Sequence, residues 1–431
     1  MRNLIKIIII VVVVLVSSFF LYKNAMRYNI TPLIEKITAE VKYKGIEGCR
    51  SFDVDDMGNY YIATSTEVQV IDNYGKSLTL FKDKDLSITT IIYNKQKLYY
   101  ISSTKLYSYN LKNKKHEIIM DNLPNFGDYK YSKILAKENY LYISIGSATN
   151  SGVVGPDNLW MNNSPIHDLT PKTIVLKGKN FNNNSTGAFV PYGTINTSGE
   201  RIPAHFPGNA SVIRVNTLSK KGESFCWGIR NIEGWDMNSK GKIYAVVGGM
   251  ENRGLRPVPG DKDYIYELKY GLWYGWPDYS GGDPINSPRF RKEGEEKVSF
   301  ILEEHPTTNP SAPFYQHSSV SSLAGLVVDK AGALAAKDSM FFYDSSNGII
   351  YNITNNGILT KQLKLEKGDK INEMKFSKNS LLILDETKKC IFEVKSDINK
   401  STINIPKEIM IFAICVIIGL VVILIINDKI K

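Results

Sequence analysis

The chain has 431 residues, enough for a single large core or two ordinary domains. Its formal net charge of +10 is dispersed in short Lys/Arg groups, and no nucleic-acid-binding motif accompanies it, so nucleic acid is not an expected partner. The four cysteines show no CxxC or Cys/His spacing, which argues against a zinc site. A solvated basic surface, or attraction to anionic lipid or wall polymers, accounts for the charge.

Residues 1–27 read as an N-terminal transmembrane anchor. Leu4 to Tyr22 is nearly all Ile, Val, Leu and Phe, interrupted only by Lys6 and Ser17-Ser18. At about 1.5 Å per residue it is long enough to cross a hydrocarbon core of roughly 30 Å. Its apolar run exceeds a usual signal-peptide core and no small-x-small cleavage site precedes Lys23, so an uncleaved anchor is expected ahead of a cleaved signal.

Residues 28–404 form the next unit. From about Val41 to Ile398 the chain reads as short strands rich in Ile, Val, Tyr and Phe, separated by Gly, Asn, Asp and Lys turns. An internal repeat narrows the architecture. Phe52-Asp-Val-Asp-Asp-Met-Gly-Asn-Tyr-Tyr61 aligns without a gap to Trp235-Asp-Met-Asn-Ser-Lys-Gly-Lys-Ile-Tyr244, with looser copies at Leu326–Gly332 and Met374–Asn379. Gly58 and Gly241 supply the positive φ of a tight hairpin, which makes Asp53, Asp55 and Asp56 turn residues rather than a calcium loop. Apolar strands follow these turns at Tyr60–Ala63, Leu98–Ser102, Leu141–Ser144, Ile243–Val246, Met340–Tyr343 and Leu381–Leu384. Several gaps between them are about forty residues, the length of one propeller blade. The expected fold is therefore an all-β, six-bladed propeller with long insertions near 147–210 and 251–322. Cys49 and Cys390 lie where such a ring closes; buried free thiols are the first expectation there and a disulfide the second.

Residues 405–431 repeat the character of the N-terminus, with Ile409 to Ile426 apolar and uncharged. Two spans, one at each end of the propeller, are expected. Counting Lys and Arg on either side of each span decides little about orientation.

The insertions carry the chemistry. Ile145-Gly-Ser-Ala-Thr-Asn150, Ser211-Val-Ile-Arg-Val215, Cys226-Trp-Gly-Ile-Arg-Asn231, Arg253-Gly-Leu-Arg-Pro257, Asp263-Tyr-Ile-Tyr-Glu267, Tyr274-Gly-Trp-Pro277 and Gln316-His-Ser-Ser319 follow one another in an order that resembles the glucose/sorbosone dehydrogenase family. The resemblance covers most of the middle region. It implies a propeller held outside the membrane with both tails inside, binding pyrroloquinoline quinone (PQQ) and calcium and oxidising a sugar or aldose. That chemistry needs a base poised near neutral pH and cations over an anionic cofactor.

Arg230 and Asn231 match the family's cofactor pair, and Arg253, Arg256 and Lys370 are further candidates for holding the quinone. Asn150, Trp273 and Trp276 are weaker candidates for sugar, and Gly248 and Gly249 for calcium. The family's base does not carry over. Where it expects His the chain reads Tyr129-Lys-Tyr-Ser132, and where it expects Lys it reads Ser345-Ser-Asn-Gly348. An expected arginine pair is reduced to Lys370 and Asn372, and the calcium loop reads Val247-Gly-Gly-Met-Glu-Asn252. His317 is the remaining catalytic candidate, with a structural hydrogen bond as its blander duty. Loop arginines pairing with Glu251, Asp261 or Asp263, and tryptophans buried in the blades, are the corresponding bland readings of the other positions. His167 and His205 have no spacing that marks a metal site. Two function classes follow: a quinone-dependent sugar dehydrogenase, and a catalytically silent propeller that binds a wall glycan or a protein partner.

Overall fold

A computed structural model describes residues 28–162, 166–291 and 294–397, together with 414 and 417–419. The two apolar segments expected to span a membrane, 1–27 and 405–431, lie outside the described residues apart from those last few positions. Among the described residues no helix is long and apolar enough to cross a membrane.

Six antiparallel sheets follow one another along the chain, each with its strands in order from the axis outward. The innermost strands of blades 1 to 6 are Ser51–Val54, Ile88–Asn94, Ile134–Lys137, Ile232–Met237, Leu323–Asp329 and Ile371–Ser377. The outer edge of blade 6 comes from the start of the domain, where Ile37–Lys44 pairs with Cys390–Ser396. Just before it, Thr31–Pro32 pairs with Leu359–Lys364 as a fifth strand of blade 5. The first described residues therefore lace two blades together and close the ring, which leaves no long free sheet edge at the seam.

The expected repeat is the hairpin between the first and second strands of a blade. In blade 1 the Asp55 carboxylate accepts the amides of Met57 and Asn59, and Gly58 takes φ +90°. In blade 4 Asn238 accepts those of Lys240 and Lys242, and Gly241 takes φ +76°. The apolar strands that follow are the second strands of the six blades, as expected. They are buried along almost their whole length, because neighbouring strands flank them and neighbouring blades cover both faces.

A hydrophobic cluster lies between each adjacent pair of blades. Cys49 and Cys390 sit in those clusters as buried free thiols, the first of the two expectations for them. Around the axis, where the first strands splay and cannot ladder, carboxylates take over. Glu373 accepts the Phe52 amide at 3.0 Å, Asp53 that of Tyr93 at 2.7 Å, and Asp236 that of Val328 at 3.0 Å. Gly234 allows blades 4 and 5 to meet there, since a Cβ on it would lie 2.2 Å from the Leu326 amide nitrogen.

We call the face where the innermost strands begin the upper face. The first insertion, 146–210, leaves it from blade 3. The second expected insertion is two segments split by a blade strand, Tyr264–Leu268: 248–263 on the upper face and 269–314 below. The latter climbs back along blade 3's outermost strand. Gly271 donates to Phe225, Trp227 to Leu272, Tyr274 to Trp227 and Trp276 to Gly228. Gly228 must be glycine at this crossing, with φ +72° and no room for a Cβ, which would lie 2.3 Å from the Trp273 ring. This explains why the Gly228 and Trp273–Pro277 elements occur together in the sequence. All three segments meet around a seventh hydrophobic cluster that contains Val153, Phe189, Trp273, Trp276 and Phe290.

Candidate functional site

The ring encloses a funnel of about 870 Å³ that opens on the upper face. Its wall is built from the loops entering the innermost strands: Arg50, Tyr129 to Lys133, Asn231 to Glu233, and Gly368 to Asn372. Ser345 and Ser346 from blade 5 complete it. A second recess of about 660 Å³ opens on the lower face. Lys133 and Glu233 line both, so they stand at the throat between them.

Of the residues expected from sequence, Asn231 and Lys370 face the upper funnel. Asn231 donates to Glu233 at 2.6 Å. Burial pushes the Glu233 carboxyl above its ordinary value, while Lys133 and Arg230 pull the other way. Glu233 escaped the sequence reading, although a carboxylate directly after Asn231 and Ile232 at the start of an innermost strand is the signal that marks it.

Arg230 lies behind the funnel wall. Its Nε and one terminal nitrogen donate to the Asn150 carbonyl and side-chain oxygens at 3.2 and 3.1 Å, and Glu251 is 3.4 Å away. The Tyr129 ring covers the guanidinium at 4.2 Å from its centroid, with the phenol oxygen also in contact. Burial lowers the Arg230 pKa to about 10, partly opposed by Glu251, so the group stays charged at neutral pH.

Arg253 is held by three carboxylates, Glu251, Asp157 at 2.5 Å and Asp128 at 2.7 Å, and donates to the Tyr129 hydroxyl at 2.9 Å. Its pairing with Glu251 was the bland alternative. Arg256 is fully buried in the insertion core, 2.5 Å from Asp278, and donates to the carbonyls of Ser151, Pro277 and Ser299. The three arginines do not converge on the funnel as an open cationic pocket. Each is matched inside the protein.

Asn150 is the hub that joins these segments. It accepts from Arg230, Trp276 and the Glu251 amide, and donates to the Glu251 carbonyl. Trp273 and Trp276 are buried in the insertion core, where a sugar has no access to them. Gly249 is set by close packing, since a Cβ on it would lie 1.9 Å from the Lys262 carbonyl oxygen. The Gly248 and Gly249 amides donate to Asn231 and Asp263. Among the described residues no group of three or more His, Cys, Asp or Glu is arranged to hold a metal.

His317 is buried between blades 4 and 5, not on the funnel. Its Nδ1 meets the Tyr315 hydroxyl at 3.1 Å and its Nε2 lies 3.5 Å from Asp344. Burial lowers its pKa, only partly offset by Asp344, which suits a neutral ring bridging two strands. His205 contacts the Pro207 carbonyl within its own loop.

The loop Gly146–Asn150 is fixed from beneath by Asp168, which accepts from the Ala148 amide and the Thr149 hydroxyl at 2.5 Å each. Burial pushes the Asp168 pKa up to about 7 against those hydrogen bonds. The folded chain thus holds this proton more tightly than the unfolded chain does. The resulting stabilisation is complete below the ordinary value of about 3.9 and is lost as pH rises through about 7. Asp168→Asn, uncharged throughout, is expected to flatten the fall in melting temperature between pH 6 and 8. An unchanged slope in that variant would remove Asp168 from the account.

A quinone bearing several carboxylates needs uncommitted cations above its ring plane. Arg230, Arg253 and Arg256 do not meet that need, and Tyr129 fills the space over Arg230. Of the residues the resemblance assigns to PQQ, only Asn231 and Lys370 face the funnel; the three arginines are committed elsewhere.

No protein-family model matches the sequence, and no curated protein resembles it in sequence. Solved structures do share its fold. The calcium structure of a Trichoderma reesei carbohydrate-active enzyme of family AA12 is 14% identical with TM-score 0.58, covering 85% of this chain and 97% of that one. The holo PQQ domain of Coprinopsis cinerea pyranose dehydrogenase is 12% identical with TM-score 0.57, covering 86% and 97%. PQQ-bound aldose sugar dehydrogenase from Streptomyces coelicolor is 12% identical with TM-score 0.52, covering 85% and 99%. The fold is thus the propeller of PQQ-dependent sugar dehydrogenases, and at these identities the likeness concerns the fold alone.

Proposed function

We propose that the protein is a sugar-binding propeller, tethered to the cell membrane at both ends with the propeller outside, whose upper funnel holds its ligand without quinone redox chemistry. One observation carries this reading. The funnel is roomy and lined by hydrogen-bonding side chains, while the arginines that would grip a quinone are turned into internal struts. Asn231, Ser345 and Ser346 offer donors and acceptors for hydroxyl groups, and Tyr129 and Tyr131 offer ring surfaces on which sugars stack. That solved proteins of this fold are named for pyranose and aldose sugars supports the ligand class by analogy.

The test is calorimetric titration of the full chain, in a detergent without a sugar headgroup, with glucose and with N-acetylglucosamine. Saturable binding that is weakened by Asn231→Ala is expected; no heat with either sugar would contradict the reading. The placement rests on the two apolar segments and is checked separately. Protease added to intact cells should degrade the propeller, and degradation only after lysis would contradict an outside location.

A second reading remains the oxidoreductase for which the solved neighbours are named. It would have to rely on Arg50, Lys133 and Lys370 for the cofactor's carboxylates and on a base other than histidine, since no histidine lines the funnel.

A further inference from the structure

We infer that the ligand of the upper funnel is an anionic sugar, one carrying a carboxylate or a phosphate. The inference rests on the sugar-binding reading and deepens it. Among the described residues, Arg50, Lys133 and Lys370 line this one cavity and take part in no ion pair. This contrasts with the arginines behind the wall, every one of which is matched.

The cations stand on two sides. Lys370 and the neighbouring Glu386 are tied together, the Glu386 amide donating to the Lys370 carbonyl at 2.9 Å. Arg50 precedes Ser51, whose hydroxyl is fixed to Glu373 at 2.7 Å, so it stands at the junction of blades 6 and 1. Lys133 enters from blade 3.

The opposing carboxylates are mostly neutralised. Asp128 pairs with Arg253, and Asp369 pairs with the buried Lys388. Glu233 at the throat is pushed towards its neutral form by burial. Glu233 and Glu386 are the two funnel carboxylates with no ion pair among the described residues, against three unpaired cations. Uncommitted cations in a concave site concentrate positive potential, and Arg offers a carboxylate or phosphate two parallel hydrogen bonds. Asn231 and Glu233 on the floor then face the sugar's hydroxyl groups.

The experiment titrates the full chain, in the same sugar-free detergent, with glucose, glucuronate, glucose 6-phosphate and inorganic phosphate, at low and high NaCl. At low salt at least one anionic sugar should bind about tenfold or more tighter than glucose, and high salt should shrink the gap. Arg50→Ala and Lys370→Ala should each weaken the anionic sugar about fivefold or more, with circular dichroism reporting that the propeller is intact. Preference for glucuronate or for glucose 6-phosphate tells which acidic group is recognised, and either supports the inference. Equal affinity for glucose and both anionic sugars overturns it while leaving the sugar-binding reading in place. Phosphate binding as tightly as glucose 6-phosphate also overturns it, because the sugar then adds nothing. Absence of binding by every sugar overturns the underlying reading as well.

Discussion

Replacing Arg256 with Met is expected to lower the melting temperature by on the order of 5–10 °C and to loosen the insertion core before the blades unfold. The reason is the buried pair. Arg256 and Asp278 are almost wholly inaccessible, and breaking such a pair from one side costs roughly 3–5 kcal/mol because the other charge stays buried. Arg256 also satisfies carbonyls of Ser151, Pro277 and Ser299, one in the first insertion and two in the last. It is the rivet between them. Asp278 retains the amides of Ile301 and Leu302 and the His305 ring, so the damage should begin locally. Fluorescence from the core tryptophans Trp273 and Trp276 should therefore change at lower temperature than the β-sheet circular dichroism. Adding Asp278→Asn should recover part of the loss by removing the stranded charge. A single-variant melting temperature within about 1 °C of the parent would refute this role.

Arg230→Ala separates the two readings of the most family-like residue. As a strut, Arg230 joins Asn150 and Glu251 behind the funnel wall. Removing it takes a donor from the Asn150 carbonyl and amide oxygens, which keep Trp276 and the Glu251 amide, and a cation from Glu251, which keeps Arg253, at about 1–3 kcal/mol in all. Burial and loss of Arg230 would also act on Glu251, whose carboxyl is held below its usual value because Arg230 and Arg253 outweigh the effect of burial. The expected result is a clear loss of stability. Arg230→Lys should fail to restore it, since one ammonium cannot reproduce the planar fork that reaches Asn150 twice. Full stability in Arg230→Ala, with loss of ligand binding, would instead make Arg230 a direct ligand contact.

The blade count was legible because its signals are local. A turn such as Asp55–Gly58 or Asn238–Gly241 lies within a few residues of the apolar strand it starts, and the pattern recurs. The insertions were legible as gaps but not as a structure. Nothing in sequence marks that 269–314 returns beside Gly222–Trp227, or that Arg256 meets Asp278. The site was legible only in part. Among the cofactor candidates that sequence offers, Asn231 and Lys370 face the funnel, whereas Arg230 is internal. Tyr129 stands in sequence where the family has its base, but its stacking on Arg230 is a long-range contact that only the fold reveals. Arg50 gives no signal in sequence, since a lone arginine before a strand has no mark until the other blades' loops converge beside it.

The proposed function holds that the upper funnel binds sugar without the quinone reaction. The most direct measurement is sugar-dependent reduction of an artificial electron acceptor by the full chain, preloaded with PQQ and calcium. PQQ is itself an anion and can occupy a cationic funnel, so turnover rather than binding is the deciding readout. No acceptor reduction above a protein-free control is expected with glucose, glucuronate or other aldoses. Reduction that requires PQQ, calcium and sugar together, and that falls in Asn231→Ala, would contradict it and make the protein a dehydrogenase.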